Sequence, residues 1–212
     1  MSVHWSDYTN FAISLFALLN PFTKIPFVLA SAGKNAKAVQ ILAIASTAAI
    51  IVVLAFSHFI GVAALQVLGT SLPSFQIGGG IIVLLTGINM LFAGSSAKPV
   101  VTSTESFDSV YYLGMAISPL GIPMLAGPGA ITKVIIDTHP GTGVDNDLHS
   151  LVVIAAVAIA SGAVLAASTL LMRVLGNGFF LVMGRIAGLI IVAVGVEMIA
   201  KGTSAHVHLF MG

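Results

Sequence analysis

Apolar residues run along this chain in long blocks, and polar residues collect between them. Six blocks are long enough to cross a hydrocarbon core, which takes roughly 20 residues in a helix. They cover residues 11–32, 38–60, 74–93, 110–138, 148–172 and 180–200. None shows the apolar-polar alternation of a barrel strand. A backbone in lipid must bond within its own segment, so each block predicts a transmembrane helix. The chain therefore reads as an all-α membrane protein with six transmembrane helices.

The pattern also repeats. Val67-Leu68-Gly69-Thr70 returns as Val174-Leu175-Gly176-Asn177, 107 positions later. The run from Gly80 to Met90, with Gly87 inside it, returns from Gly188 to Met198, with Gly195 inside it, at an offset of 108. Asn20-Pro21 pairs with Gly127-Pro128, again 107 apart. Three landmarks in one register predict two copies of a three-helix unit, repeat one at about 8–93 and repeat two at about 110–201. Residues 94–109 link them within a single membrane domain spanning 1–212. An odd number of spans per copy forces the second copy to enter the bilayer upside down. The expected fold is thus a pair of inverted-topology repeats, an architecture used by secondary transporters.

Composition closes off a water-soluble reading. Hydrophobic residues make up 58% of the chain, charged residues 7%, and mean hydropathy is +1.09, too little polar surface to coat a soluble globule. The absence of cysteine removes thiolate metal sites and thiol nucleophiles. Net charge is +1 with no dense basic cluster, so no nucleic-acid partner is expected. No Gly-x-x-x-x-Gly-Lys-Ser/Thr loop occurs, so ATP and other cofactors are not expected. No Ser/His pair or mid-span acid dyad points to an enzyme. The segment before the first block contains Asp7 and no basic residue, unlike a cleavable signal peptide, so the first span is expected to stay.

Lys34, Lys37, Lys98, Arg173 and Arg185 fall on one side if six spans alternate, which makes that side cytoplasmic. Asp7, Asp137, Asp145, Asp147 and Lys201 fall on the other, with both termini. All six histidines also lie on that outer side, where His206 and His208 with Asp145, Asp147 and His149 are loosely spaced; solvated loop histidines are preferred there over a metal site.

Chemistry is expected where the helices break. Asn20-Pro21-Phe22-Thr23-Lys24-Ile25-Pro26 places two prolines mid-span, removing backbone donors and disfavouring helix at the residues before them. Its partner runs from Ser118-Pro119 through Pro123 to Gly127-Pro128-Gly129, so helices one and four are both expected to be broken. A lone proline would be read as a packing kink. Breaks at equivalent positions in two repeats mark a binding site, where half-helix N-termini present free N–H groups to an anion such as a carboxylate. Candidate substrate-binding residues are Asn20, Pro21, Phe22, Thr23, Pro26, Gly127, Pro128, Gly129 and Ala130.

These same segments, with the runs 78–91, 123–131 and 188–198, resemble the MarC family of integral membrane proteins across all six spans. Its members were named for a link to multiple antibiotic resistance, and some transport small neutral amino acids such as glycine and alanine. The resemblance implies transport of such a solute across the cytoplasmic membrane, in either direction; a proton or a sodium ion is a candidate coupling ion. Asn20, Pro21 and Pro26 match the family motif, as do Gly127, Pro128 and Gly129. Lys24 and Lys133 depart from it. A non-transporting membrane scaffold or sensor is the alternative, and it would need no polar cavity at the breaks.

Three charges inside the spans have two readings each. Lys24 and Lys133 either snorkel to an interface or serve the solute. Glu197 is a candidate coupling acid, as is Lys24 a candidate coupling cation, yet Lys201 stands four residues after Glu197 in good register for a helical ion pair. Glycines 78, 79, 80, 87, 184, 188 and 195 are read as close-packing positions between helices.

Overall fold

The computed structural model describes residues 5–32, 35–92, 126–139, 144 and 147–211. Among them are α1 (Trp5–Leu19), α2 (Pro21–Ala32), α3 (Ala36–Val67), α4 (Leu72–Phe92), α5 (Pro128–Asp137), α6 (Asp147–Ala166) and α7 (Ser168–Met211). No strand occurs among the described residues. Five segments are long and apolar enough to cross a membrane: 6–32, 36–67, 72–92, 147–166 and 178–207. Apolar side chains on their outward faces, such as Ile44, Val52, Leu170 and Leu189, are exposed, as lipid rather than water would permit.

The helix count among the described residues is seven, not six. One reason is that the first span is two helices, which meet at Asn20. The expected fourth span, 110–138, enters the described residues only at Ala126 and continues as α5. Its Ser118–Pro123 portion and the 94–109 linker lie outside them. At the other end of the chain, the expected 148–172 span continues from α6 into α7. The Ala167 N–H bonds the Ala163 carbonyl at 2.9 Å and its carbonyl accepts from Leu171 at 2.9 Å, so the ladder carries through. It stops at Gly176, where φ is 70° and ψ 170°. Gly69 has φ 66°. Each Val-Leu-Gly motif thus places its glycine at a positive φ, a region open to glycine because it has no Cβ.

Two helix pairs enclose the shorter helices. α4 packs along α7, and α3 packs along α6. Between these pairs, α2 touches α7 and α6, while α5 touches α4 and α3. The larger core holds Phe11, Leu15 and Leu19 of α1, Val28 of α2, Leu42, Ile50 and Leu54 of α3, Val134 of α5, and Ile154 of α6. A smaller one joins Val83 of α4, Ile136 of α5, and Ile191 and Met198 of α7.

The α4/α7 contact depends on missing side chains. A carbon added at Gly80 would lie 2.9 Å from the Gly195 carbonyl oxygen, and one at Gly195 would lie 2.9 Å from that of Gly80. Gly87 and Gly188 repeat the arrangement at 2.8 and 3.0 Å. Close backbone approach of this kind replaces the hydrophobic drive that lipid does not supply. Gly78, by contrast, faces open space.

Candidate functional site

The first helix break is built on Asn20. Its φ of 42° is the only positive value at a non-glycine among the described residues, and asparagine tolerates that region better than other side chains. Its N–H closes α1 by bonding the Phe16 carbonyl at 2.9 Å. Pro21 then opens α2, where a missing N–H costs nothing and the fixed φ suits a first helical turn. Thr23 donates its hydroxyl to the Asn20 carbonyl at 3.0 Å, tying the new helix to the turn. Asn20 is buried, and its Nδ2 reaches the Met90 sulfur at 3.7 Å. Phe22 meets Phe16 edge to face at 6.1 Å across the break. Pro26 lies inside α2 and does not end it; only the carbonyl four residues earlier, that of Phe22, loses a helical donor.

The second start is at Gly127. With φ −66° and ψ 172° it is extended, and no side chain caps the helix. Pro128 occupies the first turn, and the Ile131 N–H returns to the Gly127 carbonyl at 3.1 Å. The amides of Gly129 and Ala130 therefore belong to the turn that has no intrahelical acceptor. A carbon added at Gly129 would come 2.7 Å from Val83 Cγ2 and 3.6 Å from Leu18 Cδ2. Thus α5 begins against α4 and against the last turn of α1. Ala130 is buried.

The starts are offset in depth. Gly129 faces Val83 and Asn20 faces Met90, seven residues further along α4, about 10 Å at helical rise. Leu18 connects them, being two residues before Asn20 and beside Gly129. Thr23 approaches α7 at Gly184. Lys24, on α2, is half-buried and makes no ion pair among the described residues.

Glu197 and Lys133, by contrast, are paired. Glu197 Oε1 lies 2.7 Å from Lys201 Nζ, with both side chains exposed. Lys133 Nζ lies 2.8 Å from Asp137 Oδ2, with both largely shielded. The second pair has the same four-residue spacing as the first, a signal in the sequence that a reading of Lys133 as a lone snorkelling cation passes over. Among the hydroxyls within the spans, Thr86 donates to the Ile82 carbonyl at 2.7 Å and Thr132 packs on Gly79. Ser118 lies outside the described residues.

One buried polar cluster has no local sequence signal. His58 Nδ1 is 2.8 Å from Thr138 Oγ1, across 80 positions of sequence. Thr138 donates its own proton to the Val134 carbonyl at 2.7 Å, so its oxygen must accept from His58 Nδ1–H. Nε2 lies 3.3 Å from Asp147 Oδ1, an ion-pair distance without a hydrogen bond. The cluster fastens α3, the end of α5 and the start of α6 at one end of the bundle, where Tyr8 of α1 also meets the His149 ring at 5.7 Å. No group of three or more His, Asp or Glu side chains is placed to hold a metal among the described residues; Asp145 lies outside them.

Five segments able to cross a membrane, a buried helix break at Asn20 and an outward apolar surface define a multi-pass integral membrane protein of helices. The profile of MarC family integral membrane proteins matches residues 5–207, and the chain belongs to that family. It is similar to the membrane protein YhcE of Escherichia coli K12, 31% identical over 196 residues, covering 92% of this chain and 91% of the relative. A membrane protein of Methanocaldococcus jannaschii is 31% identical over 193 residues, 89% of this chain and 92% of its own. The inner membrane protein MarC of Salmonella paratyphi A is 28% identical over 200 residues, 90% of each chain. No solved structure matches this chain.

Proposed function

We propose that this chain is a secondary transporter of small neutral amino acids, such as glycine or alanine, across the cytoplasmic membrane. It is built as six spans in two inverted three-helix repeats, with both termini outside. The observation that carries the reading is the pair of helix starts at Pro21 and Pro128, 107 residues apart. A solute carboxylate would meet the first-turn amides after Asn20 and those after Gly127 in succession, since the two starts stand at different depths along one route where backbone groups are available. Phe22, Thr23, Pro26, Gly129 and Ala130 would shape the space around it.

The packing supports the inverted relation. Gly80 meets Gly195 while Gly87 meets Gly188, and with the 108-residue offset these are one contact seen twice. Such reciprocity between antiparallel helices is what a two-fold axis lying across them produces. The neighbours of α2 and α5 exchange in the same way, each half-helix packing on elements of the other repeat. A glycine of positive φ at both Gly69 and Gly176 fits the same axis. One repeat rocking against the other would open the site to each side in turn, driven by a proton or sodium gradient. Lys24 is the intramembrane charge best placed to take part, being half-buried four residues after Asn20, whereas Glu197 lies exposed beside Lys201.

The test is uptake. Purified protein in liposomes, given labelled glycine, alanine and glutamate under imposed proton and sodium gradients, should accumulate the first two saturably and with dependence on one gradient. No accumulation above protein-free liposomes for any of them, by folded protein, overturns the reading.

A further inference from the structure

Away from the breaks, a small cavity near the Tyr8 end of the bundle is walled by charge. Lys133 and Asp137 of α5 and Glu197 and Lys201 of α7 line it, with Ser14 of α1 and Gln76 of α4. It encloses about 30 Å³, room for a water or two. One wall is shielded, the Lys133–Asp137 pair; the other, Glu197–Lys201, is exposed and can move aside. Four helices converge on it. Carrying two cations and two anions into the end of a membrane bundle is costly unless they are paired or used.

The cluster is one-sided. Through the offsets of 107 and 108, Lys133, Asp137, Glu197 and Lys201 correspond to Pro26, Ala30, Asn89 and Ala93 in the first half, none of them charged. A device that only held the two halves together would be expected at both ends of a two-fold arrangement. This one has no charged counterpart in the first half.

We propose that this cavity is a vestibular binding site for a small zwitterion, the first or last station of the transported solute. The site balances two ammonium groups against two carboxylates, so it has no net preference for a simple anion or cation. A zwitterion can satisfy both kinds of group at once. Its carboxylate takes the place of Glu197 or Asp137 at a lysine, its ammonium takes the place of Lys201 at a carboxylate, and Gln76 and Ser14 supply neutral hydrogen bonds. The enclosed volume holds only a water or two, so even a ligand the size of glycine is seated only when the exposed Glu197 and Lys201 side chains swing out. Charge-assisted hydrogen bonds made in a partly dry pocket outweigh those made in water. The proposal rests on the reading of the chain as a transporter of small amino acids and adds a second site to it.

The experiment measures equilibrium binding to the full-length protein in lipid nanodiscs by calorimetry. The probes are glycine, acetate and methylammonium: the zwitterion and its two halves. Glycine should bind saturably, and acetate and methylammonium at least about tenfold more weakly, the loss expected when a charge-assisted hydrogen bond goes unmade. In the double variant Glu197→Gln, Lys201→Gln, whose exposed pair contributes little to folding, one of the two glycine-binding components should weaken about tenfold or more while the one at the helix starts persists. Thermal unfolding confirms that the variant is folded, and Lys133→Gln gives an independent second removal. Unchanged glycine binding in the folded double variant and in Lys133→Gln overturns the proposal, as does the absence of saturable glycine binding to the parent. Uptake by liposomes separates the two readings. Transport with unaltered half-saturation in the variants leaves the transporter standing without this site, whereas binding lost in the variants of a protein that transports nothing leaves the site without the transporter.

Discussion

Two residues show how single side chains set this structure. Asn20 holds φ 42° between two helices, a region that a branched side chain enters at a cost of roughly 1–2 kcal/mol. Asn20→Val should therefore lower the thermal unfolding midpoint in detergent clearly, while Asn20→Gly should change stability by less than about 1 kcal/mol. Equal effects would mean that the Met90 contact, and not the backbone, is what asparagine supplies. At Thr138 the hydroxyl is the acceptor for a buried imidazole N–H. Thr138→Val keeps the shape and removes that acceptor, which should cost about 1–3 kcal/mol; Thr138→Ser should recover most of it. The sequence could offer Asn20 as a break residue because proline follows it. It could not offer His58 with Thr138 and Asp147, since the three are brought together only by the tertiary fold.

At the scale of helices, apolar run length announces the spans, and the ends are set by backbone needs that run length does not see. The span expected at 38–60 continues to Val67 as α3, because the helix goes on until Gly69 can turn it. Two prolines in one segment announce a break without saying which makes it. Pro21 opens a helix, where its missing N–H has no partner to lose, and Pro26 is absorbed inside α2. The glycines divide in the same way. Gly195 lies where an added carbon would be 2.7 Å from the Leu84 backbone nitrogen, and Gly78 lies in open space. Gly195→Ala should destabilise by about 1–3 kcal/mol through overpacking, whereas Gly78→Ala should stay within about 1 kcal/mol of the parent. Chemical unfolding of the two variants in micelles compares them directly. Gly129 belongs with Gly195 in this respect, because Val83 already fills the space beside it. A leucine there would disturb packing as well as any ligand, so Gly129 cannot serve as a clean probe of the site.

For the whole molecule, the internal repeat is the strongest expectation the sequence raises, and the reciprocal glycine contacts between α4 and α7 are the packing that speaks for it. What the repeat hides is the difference between its halves: charges at 133, 137, 197 and 201 stand where the first copy has none. The central claim is that the helix starts at Pro21 and Pro128 line one solute route reached from both sides. The chain has no cysteine, so single cysteines at Phe22 and Ala130 can be followed without background. The decisive measurement is the rate at which each reacts with a membrane-impermeant thiol reagent applied to one face and then the other of oriented proteoliposomes, with and without glycine. The account predicts that both positions react from either face and that glycine slows both. Reaction of each from one face only, indifferent to glycine, would contradict it.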